Sequence, residues 1–202
     1  MVQRFVWVAI MLSLMFVFNV DKVSAAGGTY FNLSSGYRDD DLRWNIAGNI
    51  DGRDPNILSE LTWRKLQIYE VGAILGFNLN EKLFLQSSLG YGLIVKGYSQ
   101  DSDYYGDDRT GEFSRYNNLS NGDDVWDGSV AIGYRWITNP GMELILLTGF
   151  SRNLLNLRMT DGYQTIPAAE KFPGLNSTYK SSWDGPWIGI YTENHIRRNW
   201  RF

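Results

Sequence analysis

The sequence predicts an all-β protein, a transmembrane antiparallel β-barrel built from long hairpins. Three observations predict it: an export leader, apolar/polar alternation that outruns the strands of soluble proteins, and a composition rich in aromatic residues and glycine but without cysteine. The hydrophobic fraction is an ordinary 44%, yet aromatics reach 15% and glycines number 21. Barrels have this composition because only alternate residues face lipid and aromatic girdles mark both interfaces. With no cysteine, no disulfide framework can hold an exported chain together, so stability must come from a core or from lipid.

The leader comes first. Arg4 precedes an apolar run over residues 5–18, followed by Asp21, Lys22 and the small-residue stretch Val23, Ser24 and Ala25. This is the layout of a secretory signal, and the run is shorter than the roughly 20 residues a spanning helix needs. Residues 1–25 are therefore expected to be a signal peptide cleaved after Ala25 or Ala26. Residues 26–202 form the barrel domain, destined for the outer membrane of a Gram-negative-type bacterium.

The first strand, over residues 30–47, carries Phe31, Leu33 and Tyr37 on one parity and Leu42, Trp44 and Ile46 on the other. The switch across residues 39–41 reads as a bulge. Next, Tyr69, Val71, Ala73, Leu75, Phe77 and Leu79 alternate with small or polar residues. After a turn at residues 80–82, Leu83, Leu85, Leu89, Tyr91, Leu93 and Val95 repeat the spacing of two. Trp126, Val130, Ile132, Tyr134 and Trp136 form the next strand, residues 138–141 turn the chain, and residues 142–150 lead away. A further strand runs over residues 180–192, where Pro186 suggests another bulge. Residues 193–199 read as a third tight turn. The turns near 80, 139 and 198 are about 59 residues apart, and the longer connections at 49–59, 98–123 and 161–179 lie on the other side, as extracellular loops do. Six strands fall short of the eight from which single-chain barrels start, so the chain is expected to be C-terminally truncated, with completion by a second copy the lesser alternative. Phe202, two residues after Trp200, is similar to the terminal aromatic signal by which the barrel assembly machinery recognises its clients.

The stretch Asn56, Ile57, Leu58, Ser59, Glu60, Leu61, Thr62, Trp63, together with Gln100, Asp101, Ser102, Asp103 at the end of the third strand, carries a resemblance. It resembles the omptin-type barrels, ten-stranded surface aspartyl endopeptidases, and with them the protochlamydial-type outer-membrane proteins. The resemblance implies outer-membrane lipid and lipopolysaccharide as surroundings, with lipopolysaccharide dependence, and cationic peptides as substrates. It assigns Asp101 and Asp103 as the catalytic pair. Two carboxylates two apart on a strand share a face, so one can hold a proton while the other stays charged. The omptin pattern also needs an Asp-x-His dyad on later strands, and none is present. His195, preceded by Glu193, is the single histidine. It lies near the third tight turn, at the opposite end from Asp101 and more than about 30 Å away at roughly 3.3 Å per residue and a 45° tilt.

The chain is therefore expected to be an omptin-like barrel without peptidase activity. The alternatives are an active endopeptidase whose missing strands are supplied elsewhere, or a non-enzymatic porin or surface-binding barrel. Between 101 and 127, eight acidic residues face only Arg109 and Arg115, a rim expected to attract cationic peptides. Asp101, Asp103, Gly106 and Glu112 also match part of a calcium-loop spacing, although Tyr105 occupies a ligand position and strands flank the segment. No other metal spacing or phosphate loop occurs, and the scattered basic residues give no nucleic-acid stripe.

Overall fold

The computed structural model of the protein describes residues 28–194 and, before them, two short strands. These are β1 (Phe18–Asn19) and β2 (Val23–Ala25). The long strands are β3 (Thr29–Ile46), β4 (Ser59–Asn78), β5 (Leu83–Gly106), β6 (Thr110–Leu119), β7 (Asp124–Asn139), β8 (Met142–Ile166) and β9 (Glu170–Asn194). Most of the leader, His195 and the aromatic pair Trp200 and Phe202 lie outside the described residues.

All pairings are antiparallel and join one sheet. β6 and β7 act as a single descending strand interrupted at residues 120–123. The lower half of β5 pairs with β7 and its upper half with β6, and β8 divides between the same two partners. The interruption is stitched by Gly122 N–H donating to Ile94 O at 2.9 Å and Ile94 N–H donating to Asp123 O at 2.8 Å. The sheet thus has the six long strands that the periodicity predicts.

The first two tight turns fall where the sequence places them, whereas of the third, expected over residues 193–199, all but the last two residues of β9 lie outside the described residues. Asn80 Oδ1 accepts from the N–H groups of Lys82 and Leu83, and Asn139 Oδ1 accepts from those of Gly141 and Met142. Each asparagine thereby supplies the turn's missing backbone acceptor. The expected loops at 98–123 and 161–179 are instead mostly strand, because β5 and β6, like β8 and β9, continue paired far beyond the apolar segment. A hairpin rising into water has no lipid-facing row of apolar residues, so its strands lack the signal that alternation detects.

The two ends of the sheet are built with opposite sidedness. Towards the tight turns, Leu33, Tyr69, Val71, Leu75, Leu89, Val130 and Ile188 project outward and exposed. From Tyr69 to Leu79 this band is about 25 Å tall at roughly 3.3 Å per residue and a 40° tilt, the height of a barrel's lipid-facing belt. Towards the other end the apolar side chains turn inward. Leu42, Trp63, Leu66, Ile68, Ile94, Val125, Leu155 and Leu157 form a buried cluster, with Trp44, Tyr179 and Trp183 packed against it.

This inversion explains the parity switch of the first strand. The register with β4 does break between Asp40 and Leu42, but even-numbered residues of β3 point inward on both sides of the break, from Arg38 and Asp40 to Leu42. The strand keeps its faces while its surroundings change from lipid to water. The partner strand carries the corresponding irregularity at Arg64 and Lys65, where Lys65 has φ 53°.

The sheet is strongly curled. Arg38 on β3 reaches Asp127 on β7 at 2.8 Å, although β4 and β5 stand between them and neighbouring strands are about 4.8 Å apart. At the upper end Trp44 of β3 stacks on Tyr179 of β9, ring centroids 5.8 Å apart. The first and last long strands therefore meet through side chains, with no backbone pairing between them among the described residues. Pro186 introduces no register shift and pairs in sequence with Phe150. β9 has β8 as its only partner among the described residues, and a strand with one free side tolerates a proline.

Candidate functional site

Strand register brings the segments at residues 56–63 and 100–103 side by side. Ser59 pairs with Asp103, Leu61 with Asp101 and Trp63 with Ser99. Because residues two apart share a face, Ser59, Leu61, Trp63, Ser99, Asp101 and Asp103 form one inward patch at the upper end. Tyr104 N–H donates to Leu58 O at 2.9 Å and fixes the start of β4 against β5.

Asp101 Oδ1 is buried without a hydrogen-bond partner. Burial first, and the neighbouring Asp103 second, push the Asp101 carboxyl up to about 6, against a lowering by the Ser59 hydroxyl that donates to it. Below it lies the apolar cluster, where Asn118 donates to Ser99 Oγ at 3.4 Å. The structure thus places the expected pair on a shared face, with Asp101 inclined to hold a proton at mildly acidic pH. Among the described residues, which do not include His195, no imidazole stands opposite.

The acidic rim is largely engaged within the molecule. Arg158 reaches Asp123 at 3.3 Å, and Asn156 donates to Asp124. Arg115 pairs with Glu112. Asn56 donates from its backbone to Asp107 at 2.7 Å and from its side chain to Asp108 at 2.8 Å, while Asp108 N–H donates back to Asn56 Oδ1. Arg109 makes a two-point bond to Glu60, at 2.6 and 3.0 Å, which holds the Glu60 carboxyl below its usual range. The segment with calcium-loop spacing is a β-hairpin in which Glu112 lies opposite Tyr104. Among the described residues no three carboxylate or histidine side chains converge on a metal position.

A second charged constellation has no counterpart in the sequence reading. Arg38 Nη1 donates to Glu70 Oε2 and Asp127 Oδ2, both at 2.8 Å, and its Nε lies 3.0 Å from Asp40 Oδ2. The Arg38 and Asp40 side chains are 8% and 3% exposed, so three carboxylates share one buried cation. This quartet lies between the apolar cluster and an inner cavity of about 290 Å³ lined by Ser34, Glu70, Ser88, Asp127, Ser129 and Asn153, among others. Alternation marks Arg38 and Glu70 as inward polar positions, but nothing local pairs them with Asp127, 89 residues beyond Arg38.

Neither a curated protein nor a solved structure matches this chain. A family model described as Protochlamydia outer membrane protein matches residues 32–202. That span takes in the curled sheet from Asn32 in β3 onward, the aspartate pair and the charged quartet, and by it the chain belongs to the Protochlamydia outer membrane protein family.

Proposed function

We propose that this outer-membrane protein is a barrel of omptin-like architecture that does not hydrolyse peptides. The observation that carries the reading is the neighbourhood of Asp101. Its carboxyl faces Ser59, Asp103 and an apolar cluster, with no imidazole among the described residues. In the omptin pattern the water is activated between the aspartate pair and the imidazole of an Asp-x-His dyad, and the described residues supply no such imidazole opposite Asp101. Among the rim carboxylates Glu112, Asp123 and Asp127 pair with arginine, whereas Asp107, Asp108 and Asp124 accept from neutral asparagine groups and keep their charge. The experiment is incubation of the full chain, folded in lipopolysaccharide, with peptides containing two adjacent basic residues. No cleavage is expected, and turnover that Asp101→Ala abolishes would establish the endopeptidase reading instead.

A second reading, a passage for small cations, is favoured by the hydroxyl-rich inner cavity with Glu70 and Asp127 on its wall. The apolar cluster lies across the path above it, so this reading predicts infrequent, cation-preferring current steps in a planar bilayer. Glu70→Gln should weaken that preference, and a silent bilayer rules the passage out.

A further inference from the structure

We propose that the inner cavity beneath the Arg38 quartet binds a small neutral polyol, a molecule of the pentitol class, by its hydroxyl groups. The inference goes beyond the passage reading and does not need it, because the cavity can hold such a molecule whether or not current flows through the barrel.

The wall of the cavity is built from small and hydroxylated residues. Ser34, Ser88, Ser129 and Ser151 line it together with Asn153, and the Ser88 and Ser129 hydroxyls lie 2.8 Å apart, either one able to donate. Across from Ser151 in the register, a Cβ built on Gly185 would meet nothing within 4 Å. At roughly 30 Å³ for each water-sized group, the 290 Å³ of the cavity takes a molecule of about ten non-hydrogen atoms. Below lie the side chains of Tyr30 and Phe84. Tyr30 donates to Gln86 Oε1 at 2.9 Å, and its ring meets that of Phe84 edge-on with centroids 6.4 Å apart. A molecule enters from that end as the two rings turn aside.

The roof supplies the charged contacts. Arg38 Nη1 is committed to Glu70 Oε2 and Asp127 Oδ2, and each of these carboxylates keeps its second oxygen as an acceptor. The Arg38 side chain is 8% exposed, and its Nη2 is buried without a hydrogen-bond partner beside the two carboxylates that line the cavity. One inward step below Gly185, Trp187 Nε1 is likewise buried without a partner. A ligand here thus meets donors and acceptors together. Guanidinium and indole N–H groups only donate, carboxylates only accept, and a hydroxyl does both. A small cation has nothing to offer Arg38 Nη2 or Trp187 Nε1, and it would have to stand beside a guanidinium that already holds the carboxylates. A polyol answers both sets of groups. Its hydroxyls donate to the remaining carboxylate oxygens in charge-assisted bonds, roughly twice as strong as neutral ones.

The test uses the full chain in lipid nanodiscs, titrated with xylitol and followed by saturation-transfer NMR. Wild type is expected to bind xylitol with millimolar or tighter affinity, and to bind the diamine putrescine more weakly. Glu70→Gln exchanges a charge-assisted bond for a neutral one and is expected to weaken xylitol binding about tenfold. Ser129→Leu fills the cavity without replacing a quartet residue and is expected to abolish binding. Should Ser129→Leu fold poorly, Ser151→Ala removes one wall hydroxyl without adding bulk and is expected to weaken binding about fivefold, with the exposed, outward Lys180→Gln as the unchanged control. Absence of xylitol binding by wild type overturns the proposal, as does equal binding by a folded Glu70→Gln, Ser129→Leu or Ser151→Ala protein. Tighter binding of putrescine than of xylitol overturns it too, because the cavity would then select charge and not hydroxyls.

Discussion

At the scale of single residues, Asp101 has a measurable electrostatic signature. Burial and Asp103 raise its carboxyl to about 6, whereas an unfolded aspartate titrates near 3.9. The folded protein therefore binds more protons than the unfolded chain between those values. Stability from this group is full below about 4, falls as pH rises and is gone above about 6. Because the group is only partly shielded from solvent, the effect is discounted to on the order of 1 kcal/mol. Asp101→Asn is expected to raise stability at pH 7 by about that amount and to flatten its pH dependence between 4 and 6, as read from urea midpoints across pH. An unchanged pH profile would remove the buried-acid description. The pairing of Asp101 with Asp103 was legible in the sequence because spacing of two fixes a shared face. The single histidine, expected near a turn at the other end, lies outside the described residues. The quartet of Arg38, Asp40, Glu70 and Asp127 was not legible, because curl rather than local pattern brings β3 to β7.

At the scale of elements, close contacts between strands set the curvature. Phe84 and Gly133 are register partners on β5 and β7, and a Cβ built on Gly133 would lie 2.1 Å from the Phe84 ring. The ring covers the glycine, and the Arg135 guanidinium lies 4.8 Å from its centroid. Gly133→Ala must displace ring and arginine together and is expected to cost about 1–3 kcal/mol, the range for overpacking. Unfolding in detergent at fixed pH measures it, and a neutral outcome would mean that the ring swings aside without penalty. The sequence marked strand cores and tight turns well, because lipid imposes strict alternation and Asn80 and Asn139 close their own turns. It marked the upper hairpins poorly. Over residues 98–119 and 161–179 the polar face outside and the mixed face inside resemble loop composition, and only pairing reveals strands.

At the scale of the whole molecule, one ion cluster ties the curled sheet across its inner face. Arg38→Ala leaves Asp40, Glu70 and Asp127 together without their cation, and removing one partner of a buried ion group costs roughly 3 to 5 kcal/mol. The expected outcome is a large drop in the urea midpoint of the vesicle-embedded protein, followed by tryptophan emission. An Arg38→Ala protein as stable as wild type would show that the curl is held elsewhere. The inverted sidedness has a consequence of its own. The upper third keeps its oil on the inside, like a water-soluble miniature domain, whereas the lower part depends on the solvent of acyl chains for its shape. Stripping away that solvent should thus undo the molecule from the asparagine turns upward, leaving the tryptophan-rich crown as the last piece standing.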